Sequence, residues 1–217
     1  MAVQEIIELL KDKAEPAYLA GMQRYGIDAT HALGVRLPEL RKLAKIIRKD
    51  HSLALELWDT GLHEARLLAS MIDDPALVTE QQINSWTKDF NSWDICDQIC
   101  GNLFDRTPFA IAKAIEFSAS EGEFTKRAGF VLMAEYAVHH KTAPDNTFVK
   151  LFPIMEREAW DNRNFVKKAV NWALRQTGKR NDVLKMLAIQ TAHNISKQDH
   201  KSAKWIASNA LAELKSR

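Results

Sequence analysis

Apolar residues recur three and four positions apart along most of the chain. The spacing runs through Ile6, Ile7 and Leu10, through Leu40, Leu43, Ile46 and Ile47, through Leu67, Leu68, Met71 and Ile72, and through Phe130, Met133, Ala134 and Ala137. That period belongs to amphipathic helices with one face turned to a core. Sustained apolar–polar alternation and Asn-Gly or Asp-Gly hairpin turns are missing, so strand signals are nearly absent. Pro16, Pro38, Pro75, Pro108 and Pro144 each precede or open a new periodic segment. The pattern predicts roughly a dozen short helices and an all-α chain.

Three segments share one pattern: EARLLASM at 64–71, TKRAGFVLMA at 125–134 and VKKAVNWALR at 166–175. Each reads as a basic residue in the first helical turn, a small residue, then an apolar run. Arg127 aligns with Lys168 and Ala128 with Ala169, 41 residues apart. That period suits a HEAT/armadillo-like helical-repeat solenoid, which curves and offers a concave surface. A cation in a first turn opposes the helix dipole. Repeated at equivalent positions, it suggests a concave basic groove that attracts an anion.

Composition adds limits. The hydrophobic share of 46% is enough for a core, and the charged share of 27% is ordinary. Net charge is only +2, so basic character must be local. Residues 162–180 carry Arg163, Lys167, Lys168, Arg175, Lys179 and Arg180 and no acid, and 36–49 carry six cations against Glu39 alone. Lys168, Trp172, Arg175 and Lys179 share one helical face. A basic stripe with an interleaved aromatic is a nucleic-acid footprint, and a solvated lysine-rich face is its plain alternative. The amphipathic, acid-bearing start MAVQEIIELLKDKAEP does not read as a signal peptide, and no apolar run approaches membrane-spanning length. The expectation is a reduced, cytoplasmic, monomeric protein with no membrane contact, residues 1–217 forming one domain.

A phosphate loop, G-x-S-x-G, H-E-x-x-H and the zinc-deaminase signature are all missing. Cys96 and Cys100 read as buried structural thiols. What remains is FNSWDICDQIC at 90–100. As a helix capped by Asn91 or Ser92, it sets Trp93 and Asp97 one turn apart on the same face, beside an apolar stripe of Cys96, Ile99 and Leu103. A carboxylate there needs a partner. An ion pair between Asp97 and a basic residue such as Arg127 is the structural alternative to a functional role. For Trp93 and Trp172 the alternative is a core aromatic. Asp94 reads as an ordinary first-turn acid.

The ordered set N-S-W-D-I-C-D at 91–97, K-R-A at 126–128 and K-A-V-N-W-A-L-R at 168–175 resembles the AlkD family of DNA alkylation repair proteins. K-A-E-P at 13–16 and G-V-R-L-P-E-L-R at 34–41 resemble it too. The resemblance covers nearly the whole chain in order. It implies a HEAT-like-repeat glycosylase that removes alkylated purines from double-stranded DNA without metal or cofactor. It places the catalytic aspartate at Asp97 and DNA- or lesion-binding residues at Trp93, Arg127, Trp172 and Arg175, and the basic face adds Lys168 to the DNA-binding set. The family's tyrosine shortly after A-E-P is replaced by Ala20, with Tyr18 and Tyr25 as alternative lesion-side aromatics. Related subfamilies with altered sites bind DNA without cleaving it. A non-catalytic binder of damaged or branched DNA is therefore the second reading, and a protein-interaction solenoid the third.

Overall fold

The computed structural model describes residues 1–216. Among them are fourteen α-helices, one 3-10 helix and no strand. They cluster into two compact units, 1–107 and 108–217. The first holds α1 (Val3–Asp12), α2 (Pro16–Arg24), α3 (Leu37–Ile47), α4 (His51–Asp59), α5 (His63–Ile72), α6 (Glu80–Lys88), α7 (Trp93–Asn102) and the 3-10 turn Phe104–Arg106. The second holds α8 (Ala110–Ser118), α9 (Glu123–His139), α10 (Asp145–Val149), α11 (Phe152–Arg157), α12 (Asn164–Gly178), α13 (Asp182–Ser196) and α14 (Lys201–Lys215).

The helix starts follow local chemistry. Pro16 opens α2, where its missing N–H is no loss. Asp50, Thr79 and Asn181 accept backbone N–H bonds at the starts of α4, α6 and α13. The predicted apolar faces are largely buried: Ile7, Ile47 and Met71 are half-buried, and Ile46 is 72% exposed. In the first unit α5 packs against α3, α4 and α7. Trp58 and Trp86 stack there at 4.0 Å, and Phe90 and Phe104 flank them. In the second unit α9 packs between α8 and α12, and α12 also meets α13 and α14. Gly129 permits the α8–α9 approach, since a Cβ there would lie 2.4 Å from Ser118 N.

One expectation is overturned. The basic residues of the three repeat-like segments do not sit in first turns. α5, α9 and α12 begin at His63, Glu123 and Asn164, so Arg66, Arg127 and Lys168 fall at the fourth or fifth helical position. Glu64 and Glu123 occupy the first turns of α5 and α9, where the dipole favours an acid. The polar residues ahead of each apolar run are themselves helical, which the periodicity of the run does not reveal.

Candidate functional site

The helix α7 divides its faces as the spacing requires. Ile95, Cys96, Ile99 and Cys100 are buried, while Trp93, Asp94, Asp97 and Gln98 are partly exposed. Trp93 and Asp97 thus share a stripe that reaches solvent, one turn apart. Ser92 takes the N-cap position, but its hydroxyl makes no cap bond and donates instead to Asp94 Oδ1 at 2.7 Å.

Three ties fix the start of this helix. Trp93 Nε1 donates to the Tyr25 carbonyl at 2.9 Å. Asn91 Nδ2 donates to Asp28 Oδ2 at 3.0 Å. Asp94 Oδ2 lies 2.9 Å from His63 Nε2, and His63 is only 5% exposed. Asp94 is therefore more than a first-turn acid: it clamps α7 to α5. The neighbouring Glu64 is fully buried and accepts from the backbone N–H groups of Leu33, Gly34 and Val35 at 2.7–3.1 Å. Those bonds satisfy a carboxylate that burial would otherwise penalise. The first turn of α5 thus holds both the 33–35 loop and α7.

Beside Trp93 lies a cleft of about 330 Å³, lined by Tyr18, Gly21, Met22, Tyr25, Ile27 and Trp93. The Arg36 guanidinium sits over the Tyr18 ring at 4.9 Å, and Glu15 holds Arg36 at 2.9 Å. Tyr25 is 71% exposed. Both tyrosines that flank Ala20 in sequence are thus gathered with Trp93, while Ala20 itself is exposed and does not line the cleft.

The second unit carries the remaining residues singled out by sequence. In K-R-A, Lys126 is buried and paired with Glu158 at 2.6 Å and Asp161 at 3.3 Å. Burial pushes both carboxyls up, but the bonds from Lys126 and Arg157 to Glu158, and from Arg163 to Asp161, outweigh it and leave both lowered. Arg127 is 6% exposed and donates to the Phe165 carbonyl at 2.6 Å, tying α9 to the start of α12. On α12, Lys168 is exposed and makes no ion pair among the described residues, and Trp172 is partly exposed.

The acid-free run 162–180 is less available than its sequence implies. Arg163 is bound by Asp161. Arg180 donates to the carbonyls of Ala137, Lys141 and Ala143 and lies over Phe148. Arg175 and Lys179 both pair with Glu213 of α14. Lys179 first, then Arg175, pulls that carboxyl from 4.5 to about 2, against the opposing effect of burial. Asp161 borders the run, but the other partners come from distant segments, so a local charge count misses them. Arg66, the basic residue of the first repeat-like segment, pairs with Asp89 at 3.2 Å and lies over Trp58. In the first unit, by contrast, Arg41, Lys45 and Arg48 are exposed without ion pairs among the described residues.

Tertiary structure therefore gathers Trp93, Tyr18 and Tyr25 in the first unit, with Asp97 one turn further along α7. Arg127, Lys168, Trp172 and Arg175 belong to the second. Sequence reasoning missed His63, whose pairing with Asp94 spans two helices and leaves no local signal. It also missed Gly21. Among the described residues no group of three or more His, Cys, Asp and Glu is placed to hold a metal ion, and no helix is long and apolar enough to cross a membrane.

A solved structure resembles the chain at a TM-score of 0.81, covering 98% of this chain and 95% of the other at 17% identity. It is of a family related to the HEAT-like repeat DNA glycosylases with affinity for branched DNA structures. At that identity the likeness establishes the fold, which is all-α and HEAT-like. No curated protein sequence matches significantly. A family model described as DNA alkylation repair enzyme matches residues 6–214, nearly the whole chain, and with that span the chain belongs to the DNA alkylation repair enzyme family.

Proposed function

We propose that the protein is a DNA glycosylase that hydrolyses the N-glycosidic bond of cationic N3- or N7-alkylated purines in duplex DNA. The observation that carries this reading is Asp97 on the solvent-reaching stripe of α7, one turn from a Trp93 whose indole is held by the Tyr25 carbonyl. In a DNA alkylation repair family member, that pair matches what the chemistry needs. An alkylated purine is positively charged and leaves readily. Loss of the base passes through an oxocarbenium-like sugar. A fixed carboxylate stabilises that charge and can orient the attacking water. The Trp93 ring excludes solvent and favours a cationic neighbour.

DNA holding falls to the exposed cations and to Trp172. Lys168 is available now. Arg175 becomes available as phosphate competes with Glu213 for it. Arg127 is the further DNA-binding arginine of this reading, and its bond to the Phe165 carbonyl ties it to the start of α12. In this reading residues 1–217 act as one repair domain, in a monomeric cytoplasmic protein that needs no metal or cofactor.

The test is release of 7-methylguanine and 3-methyladenine from methylated duplex DNA, wild type beside Asp97→Asn. Release by wild type alone is expected. A second reading, non-catalytic binding of damaged or branched DNA, is favoured by the structural neighbour and by Ala20 at the family's tyrosine position. It predicts tight DNA binding with no base released by either protein.

A further inference from the structure

Arg48 ends α3 with φ 66° and ψ −160°. That backbone region is essentially reserved for glycine. Among the described residues the other three positive-φ positions are glycines, Gly26, Gly34 and Gly61. The turn explains the conformation but not the residue. Only Arg48 and Lys49 separate Ile47, the last residue of α3, from Asp50, which caps α4. The backbone N–H of Asp50 is itself held by the Ile72 carbonyl at 2.8 Å. A connection that short uses the positive φ, and glycine would supply it without strain. A cation at a helix end gains from the dipole, but less than this strain costs, and Lys45 already occupies the last turn. What the arginine side chain adds therefore lies outside the fold.

We propose that Arg48, with Arg41 and Lys45, forms a phosphate grip on the first unit that holds damaged and undamaged duplex alike. The proposal rests on the DNA-repair reading above and adds residues that reading does not name, since its aspartate, tryptophans and basic residues lie on α7, α9 and α12. Tertiary pairing sorts the six cations of 36–49. Glu15 takes Arg36, Glu39 takes Lys42, and Asp74 takes Lys49. Arg41, Lys45 and Arg48 are exposed and make no ion pair among the described residues. Arg41 and Lys45 lie one turn apart on the outward face of α3, away from buried Leu40 and Leu43. Arg48 extends the row at the C-cap. The row covers about 10 Å of helix rise, the length of about three phosphates of one strand at about 3.4 Å each. Phosphate contacts position a duplex and carry no base information, so this grip is blind to the lesion.

The test uses the full chain and two duplexes of one sequence, one undamaged and one with a single 7-methylguanine. Binding is followed by fluorescence anisotropy over a salt series, in the cold and before base release. Arg48→Gly should melt higher than wild type, since the strain is relieved. It should nonetheless bind both duplexes about two- to fivefold more weakly, the scale of one exposed charge contact. Its salt slope should flatten by about one. The double variant Arg41→Gln with Lys45→Gln, both at exposed positions, should flatten it by about two. In each variant the ratio of the two affinities should stay that of wild type. Wild-type affinity and slope in both variants would overturn the inference and leave this face to an acidic protein surface. A loss confined to the damaged duplex, or an Arg48→Gly that melts lower, would overturn it too. Duplex binding that depends on these residues but releases no base keeps the grip and removes the catalytic reading. A wild type that binds neither duplex overturns both.

Discussion

The indole of Trp93 donates its N–H to the backbone carbonyl of Tyr25, 68 residues earlier, at 2.9 Å. A large aromatic at the mouth of a cleft is thereby held in one orientation. Trp93→Phe keeps an aromatic wall but leaves that carbonyl without its donor. It should cost about 1 kcal/mol of stability and weaken excision further than that loss alone explains. Urea denaturation and single-turnover excision on the same protein separate the two effects, and wild-type values in both would show the bond to be idle.

Asp97→Asn preserves shape and removes charge. Excision of 7-methylguanine should fall by about 10²–10⁴, the usual range for a general base, with duplex affinity retained. Undiminished excision would take Asp97 out of the chemistry.

His63 and Asp94 are 2.9 Å apart, and His63 is almost wholly buried. Asp94→Ala or His63→Ala should each destabilise the fold by about 1–3 kcal/mol, because the remaining partner loses its bond. The double variant should cost less than the two singles added, with a coupling of about 0.5–3 kcal/mol. Additive losses would mean that the pair does not clamp α7 to α5.

Glu213 holds Arg175 and Lys179, with its carboxyl lowered from 4.5 to about 2. A depressed folded-state value adds stability above about pH 4.5 that is lost as pH falls towards 2. Glu213→Gln should flatten that acid-side loss in urea titrations run across the window. It also releases two cations, so duplex affinity should rise and the salt dependence steepen by about one phosphate contact. An unchanged salt slope would place Arg175 and Lys179 away from DNA.

Two helical glycines should respond oppositely. Gly129→Ala drives a methyl into Ser118 and should cost about 1–3 kcal/mol or more. Gly21→Ala meets open space and should stabilise by about 0.5–1 kcal/mol. Thermal melts decide both, and a destabilised Gly21→Ala would show that α2 needs this glycine for its own structure.

The sequence by itself determined the helices and their inward faces, because burial imposes a 3.6-residue period that survives in the residue order. The Trp93–Asp97 stripe on α7 was legible for the same reason: both residues lie on one helix, and spacing alone sets their shared face. What depended on contacts between distant segments was not legible. Glu213 neutralises part of a run that looks purely basic, Asp89 takes Arg66, and carbonyls from 137 to 143 take Arg180. The His63–Asp94 clamp and the cleft beside Gly21 likewise arise only when α2, α5 and α7 are packed together. Periodicity is a one-dimensional record of burial. Partner choice for a charge, and the space left open beside a glycine, are set by which helices meet, and only the tertiary structure decides that.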